Sequence, residues 1–154
     1  MQKDIDIIIY GATGFTGQLC VKYFQSLNTG VKWAIAGRDQ EKLQKVALDN
    51  SADVEILIAD SDDEAALDIL TSRATVILST TGPFHRYGSK LVASCVKNSA
   101  NYVDITGENF WVKGLIAKHH EEASEKGIRI IPSCGYDSIP SDLGVFYSAK
   151  ALNK

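Results

Sequence analysis

The sequence predicts an α/β domain built on a doubly wound parallel sheet of six strands in the order 3-2-1-4-5-6. Short runs of apolar, often β-branched residues recur along the chain, and segments with helical spacing of apolar residues separate them. A glycine-rich turn joins the first run to the first of these segments. Alternating strands and helices form right-handed βαβ units, which build parallel sheets. We therefore expect one domain over residues 1–154.

The strand predictions rest on apolar runs that are mostly continuous instead of alternating. Continuous runs are typical of strands buried on both faces, as in a parallel sheet covered by helices. The predicted strands are Ile5–Tyr10, Lys32–Ala36, Val54–Ala59, Thr75–Ser79, Asn101–Ile105 and Ile128–Pro132.

The helix predictions rest on apolar residues spaced by about one turn, such as Leu19, Tyr23 and Leu27 in the first segment. Gly127 follows the fifth helix, where it would end that helix in a left-handed conformation. The predicted helices are Thr16–Leu27, Gln40–Asp49, Glu64–Ser72, Ser89–Asn98 and Lys113–Lys126.

A sixth helix is predicted over Ser141–Leu152. Leu143, Val145, Phe146 and Leu152 are too many apolar groups for a free terminus. We expect this helix to dock on the domain's own sheet, on a following domain or on a second copy of the chain, as in a homodimer.

Composition excludes several classes of protein. With 154 residues, 45% hydrophobic and 23% charged, the chain is typical of a globular domain. Its net charge of -3 argues against a nucleic-acid partner, which would need a basic face. No apolar run approaches the length of a transmembrane segment, and no signal peptide is visible. Three widely spaced cysteines indicate reduced thiols, so we expect a cytoplasmic protein.

The glycine-rich turn, Gly11 to Gly17, directly follows the first strand and opens the first helix, as in a Rossmann fold. Gly11 would permit the tight turn. Gly14 would let the backbone approach a pyrophosphate, and Gly17 would let the helix pack closely on the sheet. The turn therefore predicts a dinucleotide site, and the alternative is a glycine turn without a ligand.

Donors for the pyrophosphate are expected at the start of the first helix. The backbone amides of Gly14, Phe15 and Thr16 would face the anionic oxygens, aided by the helix dipole. The hydroxyls of Thr13 and Thr16 would add further donors.

The residues after the second strand predict NADP in preference to NAD. NAD-binding domains carry an acid about 20 residues past the glycines, where it binds the ribose 2′-OH. Here Arg38 stands at that position, beside Gly37, and a guanidinium matches a 2′-phosphate. Lys42 would add positive charge. Asp39 leaves two alternatives, since it either caps the next helix or binds the 2′-OH.

Asp60 and Ser61 follow the third strand, where the adenine of a dinucleotide would lie. The alternative role for them is helix capping, ahead of Asp62 and Asp63.

The turn after the fourth strand is predicted to contact the nicotinamide half of the cofactor. Ligands bind at the switch point between the first and fourth strands, which places the turn Thr80, Thr81, Gly82, Pro83 and Phe84 there. The Phe84 ring would pack on the ribose or the nicotinamide, and the alternative is an ordinary turn. Glu108, after the fifth strand, would bind substrate or act as an acid, although a solvated loop carboxylate is the simpler interpretation.

No catalytic residue is assigned by the sequence. The Tyr-x-x-x-Lys pair of short-chain dehydrogenases is missing, because Tyr87 and Lys90 are three residues apart. His119 and His120 are adjacent on a helix and point in different directions, so no metal site is predicted.

Together these motifs resemble the N-terminal domain of saccharopine dehydrogenase-like oxidoreductases, which are grouped with trans-acting enoyl reductases. The resemblance covers essentially the whole chain. The motifs that carry it, in order, are Tyr10-Gly-Ala-Thr-Gly-Phe-Thr-Gly17, Ala36-Gly-Arg38, Thr81-Gly-Pro-Phe84, Tyr102-Val-Asp104, Gly107-Glu108 and Gly135-Tyr-Asp-Ser-Ile-Pro-Ser-Asp142.

The resemblance implies an oxidoreductase that binds NADP in this domain and transfers hydride to or from a substrate, lipid-linked in some members. It implies that a following domain, absent from this chain, carries the substrate, so we expect residues 1–154 alone to be inactive. Family members are also linked to lipid droplets and membranes. The alternatives are a non-catalytic dinucleotide-binding sensor or scaffold, and an NAD-dependent epimerase-like protein, which would need an acid in place of Arg38.

Overall fold

The computed structural model describes residues 3–27 and 30–152. Six parallel strands form one sheet in the order β3-β2-β1-β4-β5-β6, which confirms the predicted fold. The strands are β1 (Ile5–Tyr10), β2 (Trp33–Gly37), β3 (Glu55–Ile58), β4 (Ala74–Ser79), β5 (Asn101–Asp104) and β6 (Ile130–Ile131).

Helices connect the strands and cover the sheet. They are α1 (Phe15–Ser26), α2 (Gln40–Asp49), α3 (Glu64–Arg73), α4 (Phe84–Tyr87), α5 (Ser89–Lys97), α6 (Asn109–Glu125) and α7 (Ile139–Leu152).

The hydrophobic core has two parts, one on each face of the sheet. On one face, α1 and α2 pack Val21 and Leu43 against Ile9 and Ile35 of the central strands. On the other face, buried side chains of α3, α5 and α6 pack against the sheet, among them Leu67, Leu70, Leu91, Val92 and Leu115. Burial on both faces explains the continuous apolar runs of the central strands.

The structure differs from the predicted elements mainly after β4. The one-turn helix α4 lies where a simple turn was expected, and α6 begins at Asn109, a turn before the predicted Lys113. Phe84 of α4 and Trp111 of α6 are both buried, with ring centroids 6.0 Å apart. These extra turns form because tertiary packing buries their aromatic side chains, which local sequence patterns do not reveal.

Helix α7 is exposed along its whole length, and none of its residues is buried. Of the three alternatives expected for this helix, docking on the domain's own sheet is therefore contradicted, whereas contact with a following domain or with a second copy stays a prediction. Its apolar residues lie all around the helix instead of along one stripe, so no single face is selected for packing on the sheet.

Candidate functional site

A cleft of about 410 Å³ lies at the carboxyl ends of the central strands, where ligands bind in doubly wound sheets. It crosses from the end of β2, over the end of β1, to the end of β4. The structure brings seven of the predicted site residues together in its lining: Gly11, Thr13, Gly14, Arg38, Thr81, Gly82 and Pro83. Five others do not line it, namely Phe15, Thr16, Gly17, Asp60 and Phe84.

Two glycines of the β1–α1 turn are required by geometry. Gly11 has φ +86°, and a Cβ on it would lie 2.2 Å from Oγ1 of Thr81. A Cβ on Gly17 would lie 2.2 Å from the backbone oxygen of Gly11. Gly11 therefore allows the tight turn, and Gly17 allows α1 to approach the strand end, as predicted for both.

The N-terminus of α1 carries no side-chain cap. By contrast, Asp39 caps α2 and Asp63 caps α3, each through a carboxylate that accepts a backbone N–H. The first-turn amides of Phe15 and Thr16 have no acceptor within their own helix, so an anion can take that place. The amide of Gly14 is not available as predicted, because it donates to the backbone oxygen of Gly11 at 3.0 Å.

Arg38 lies exposed at the β2 end of the cleft. Among the described residues its guanidinium has neither an ion pair nor a hydrogen bond. The neighbouring Asp39 accepts the backbone N–H of Lys42 at 3.1 Å and pairs with its ammonium at 2.9 Å. Asp39 is therefore a helix cap, and Arg38 is left as the charged group that faces the cleft.

The loop after β3 presents Ser61 to the cleft instead of Asp60. The carboxylate of Asp60 accepts the backbone N–H of Asp62 at 2.9 Å, which closes a local turn. Asp60 therefore stabilises this turn through one carboxylate oxygen, and the cap of α3 is Asp63.

The turn after β4 is tied to the glycine turn. Thr80 donates its hydroxyl to the backbone oxygen of Gly11 at 3.1 Å. The Gly82–Pro83 peptide bond is cis. Oγ1 of Thr81 is buried and has no hydrogen-bond partner in the part of the chain that the structure describes. The space that the missing side chain of Gly11 leaves, together with the unpaired hydroxyl of Thr81, fits a polar ligand bound between the turn after β1 and the turn after β4.

The structure corrects the prediction for Phe84. Only 7% of this residue is exposed, and its ring packs on Trp111 in the core. An aromatic ring gains more by burial there than at a solvated cleft, so it does not face a ribose or a nicotinamide.

Glu108 is not a solvated loop carboxylate. It accepts backbone N–H groups from Phe84 at 2.8 Å and from His85 at 2.9 Å, and it also contacts Nδ1 of His85. Burial opposes ionisation, but the bonds from His85 and Phe84 outweigh it and lower the pKa of Glu108. The carboxylate therefore stays ionised at neutral pH and is unsuited to act as an acid.

Asp104 connects the ends of β5 and β6. It is 1% exposed and accepts bonds from the hydroxyl of Tyr102 at 2.9 Å and from the amides of Thr106 at 3.0 Å and Ser133 at 2.9 Å. Burial dominates these bonds and raises the pKa of Asp104. This network supports the loops next to the cleft without entering it.

Thr80 lines the cleft as part of the turn predicted after the fourth strand. Tyr10 and Tyr87 also line it, although the sequence did not single them out for the site. Tyr10 is at a strand end beside the glycine turn, so its position in the sequence was an available signal. Tyr87 is at the end of α4, and the absence of a predicted helix there concealed it.

The described part of the chain contains no cluster of three His, Cys, Asp or Glu side chains that would hold a metal ion. None of its described helices has the length and apolar content that a bilayer crossing requires.

A family model described as the saccharopine dehydrogenase NADP binding domain matches residues 7–131. The trans-acting enoyl reductase of Mycobacterium tuberculosis is 40% identical over 148 residues, which cover 94% of this chain and 35% of that protein. A saccharopine dehydrogenase-like oxidoreductase of Rattus norvegicus is 36% identical over 167 residues, with 99% of this chain and 39% of that protein covered. The chain thus spans little more than a third of the length of these curated relatives.

Among solved structures, apo saccharopine dehydrogenase (L-Glu forming) from Saccharomyces cerevisiae superposes with a TM-score of 0.76. The match covers 97% of this chain and 31% of that chain at 19% sequence identity. At this identity the likeness shows the fold alone.

Proposed function

We propose, because the chain belongs to the saccharopine dehydrogenase NADP-binding domain family, that it binds NADP(H) in the cleft and serves an oxidoreductase as its nucleotide-binding part. When bound, NADPH supplies the hydride, and the protein supplies binding and orientation. The proposal agrees with the required glycines of the β1–α1 turn, the uncapped start of α1 and the orphaned hydroxyl of Thr81.

The observation that carries the choice of NADP is the contrast between Arg38 and Asp39. Arg38 is exposed at the cleft without a partner among the described residues, whereas Asp39 is engaged by Lys42. In this arrangement the guanidinium binds the 2′-phosphate, and the amides of Phe15 and Thr16 bind the pyrophosphate. Thr81, Gly82 and Pro83 flank the nicotinamide half at the other end.

Titration of the chain with NADPH and NADH tests the proposal. We expect NADPH to bind about 10- to 100-fold more tightly, since a charge-assisted bond contributes roughly 1.5–3 kcal/mol. Raised salt is expected to reduce the difference in affinity between NADPH and NADH, because it screens the exposed ion pair between Arg38 and the 2′-phosphate. Equal affinities would contradict the assignment of Arg38 to a 2′-phosphate.

For the whole protein we propose hydride transfer to or from an enoyl or lipid-linked substrate. The support is the 40% identity to a trans-acting enoyl reductase, of which this chain covers 35%. The test is oxidation of NADPH by the full-length protein against a panel of enoyl and carbonyl substrates. Tight nucleotide binding with no oxidation across the panel would favour the sensor or scaffold alternative.

A further inference from the structure

The two ends of the cleft are supported by different parts of the fold. Arg38 at one end follows β2 directly. At the other end, Pro83 directly precedes α4 and Tyr87 is its last residue, so the placement of both lining residues depends on this single helical turn. One helical turn is unstable by itself in water, so α4 depends on tertiary contacts, one of which is the burial of Phe84 against Trp111.

Glu108, in the loop between β5 and α6, provides a second contact. Its two carboxylate oxygens divide between the first two amides of α4, with Oε1 at 2.8 Å from Phe84 N and Oε2 at 2.9 Å from His85 N. Pro83 precedes these amides and provides no side-chain cap, so a residue 24 positions away in the sequence performs that function.

The carboxylate is itself held in place. The backbone N–H of Glu108 donates to Oγ1 of Thr106 at 3.0 Å, and the backbone N–H of Thr106 donates to Asp104. The ring of His85 contacts the same carboxylate through Nδ1, and because an ionised carboxylate only accepts, Nδ1 carries the proton. The Glu108 side chain is 23% exposed, so these bonds are only partly screened by water.

We propose that Glu108 is a positioning residue for the nicotinamide half of the site: it clamps the first turn of α4 and so holds Pro83 and Tyr87 in the wall of the cleft. This inference rests on the proposed function, since it presumes that a dinucleotide occupies the cleft. Glu108 does not line the cleft, so it affects cofactor binding only through the position of α4. It therefore acts on the end of the cleft opposite to Arg38.

The test uses two probes, NADPH and adenosine 2′,5′-bisphosphate, which has the 2′-phosphate but no nicotinamide. Glu108→Gln is nearly isosteric, yet its amide has one acceptor oxygen, and its NH₂ group would oppose a donor N–H. We expect it to weaken NADPH binding by about 10-fold, because one amide of α4 loses its acceptor. Binding of the bisphosphate is expected to stay unchanged.

Glu108→Asp is a second variant that keeps the charge but shortens the side chain. We expect it, too, to weaken the binding of NADPH and to leave the binding of the bisphosphate unchanged. Glu122→Gln is the matched control. Glu122 lies in α6, which begins directly after Glu108, and it pairs with Lys126 away from the cleft, so both probes are expected to bind this variant normally. The fluorescence of bound NADPH gives a second readout, since it reports the surroundings of the nicotinamide in each variant.

If the Glu108 variants bound NADPH and the bisphosphate more weakly by the same factor, the inference would be overturned, because an equal loss of affinity would indicate general damage to the fold. Unchanged NADPH binding in both Glu108 variants would overturn it as well. If the wild-type chain bound neither probe, the proposed function itself would fail, and this inference with it. Binding of both probes by wild type, with selective loss of NADPH in the variants, is the expected result.

Discussion

Arg38 and Asp39 are adjacent in the chain and carry opposite charges, yet the fold gives them separate tasks. Asp39 begins α2, where its carboxylate accepts an amide and pairs with Lys42. The bonds from Lys42 lower the pKa of Asp39, which keeps this cap ionised at neutral pH. Arg38 remains exposed at the cleft, so under the proposed function this one side chain would decide between NADPH and NADH.

Replacement of Arg38 is expected to change the affinity for NADPH much more than the affinity for NADH. Arg38→Ala would weaken NADPH binding by about 10- to 100-fold and leave NADH nearly unchanged, since NADH has no 2′-phosphate. Arg38→Lys would recover part of the loss, because an ammonium lacks the planar fork of a guanidinium. Titration of both nucleotides against the three proteins measures this. An equal loss of NADH in Arg38→Ala would argue against the assignment.

Substitution of Gly17 tests the close approach of α1 to the backbone of Gly11. Gly17→Ala would place a Cβ 2.2 Å from the Gly11 oxygen, and because that neighbour is backbone, α1 must shift. We expect a loss of about 1–3 kcal/mol in the free energy of unfolding. Gly114→Ala is the control, because it lies in α6 with open space around its Cβ and is expected to gain roughly 0.5–1 kcal/mol. Denaturant unfolding compares them, and a neutral Gly17→Ala would contradict the close contact.

Among the elements, the contact between α3 and α5 contains the clearest pH-dependent group. Asp68 of α3 accepts the hydroxyl of Ser94 at 2.7 Å and binds the ammonium of Lys97, both on α5. The bond from Lys97 is the main cause that lowers the pKa of Asp68 in the folded protein. A group with a lowered folded pKa stabilises the fold above its unfolded pKa and loses that effect as the pH falls through the folded value.

Asp68→Asn is therefore expected to lower the free energy of unfolding by about 1 kcal/mol at neutral pH. The loss is not larger because solvent partly screens the pair with Lys97. The difference from wild type is expected to shrink as the pH falls below about 4, where the unfolded-state carboxyl takes up its proton. Asp49→Asn removes an exposed pair with Lys45 and serves as the control, with little effect expected. Unfolding curves across this pH range measure both variants. A difference that stayed constant with pH would contradict the role of Asp68.

At the scale of the whole molecule, the cleft collects residues from several elements at one edge of the sheet. Its lining comes from the last residues of β1 and β2, from the turns that follow β1, β2, β3 and β4, and from α4. The curated relatives are much longer than this chain, which covers 35% of the trans-acting enoyl reductase of Mycobacterium tuberculosis. An exposed α7 with apolar residues on every side also lies at the end of the described structure.

We expect residues 1–154 alone to bind NADPH without oxidising it. In the proposed site, the lining that the structure describes comes from the sheet edge and its turns, and a closed pocket for a substrate against the nicotinamide is needed for hydride transfer away from water. The measurement is the loss of NADPH absorbance in the presence of small carbonyl compounds, after binding has been shown by titration. Measurable oxidation by this chain would contradict the prediction.

Much of the fold and part of the site followed from the sequence by itself. The strand order followed from the general topology of alternating strands and helices, which build a doubly wound parallel sheet. The strands, the glycine turn and the Asp39 cap are local consequences of apolar runs, backbone freedom at Gly11 and a carboxylate before a helix. Local patterns suffice for such features because their causes lie within a few residues of each other.

Only the tertiary structure decided the contacts between distant segments. It buried Phe84 against Trp111, removed it from the predicted site, and turned Glu108 from a loop carboxylate into the support of α4. It also left α7 without a place on the sheet. These outcomes depend on which side chains meet across elements, and the period of a single segment does not encode which neighbour will bury an aromatic ring or accept an amide.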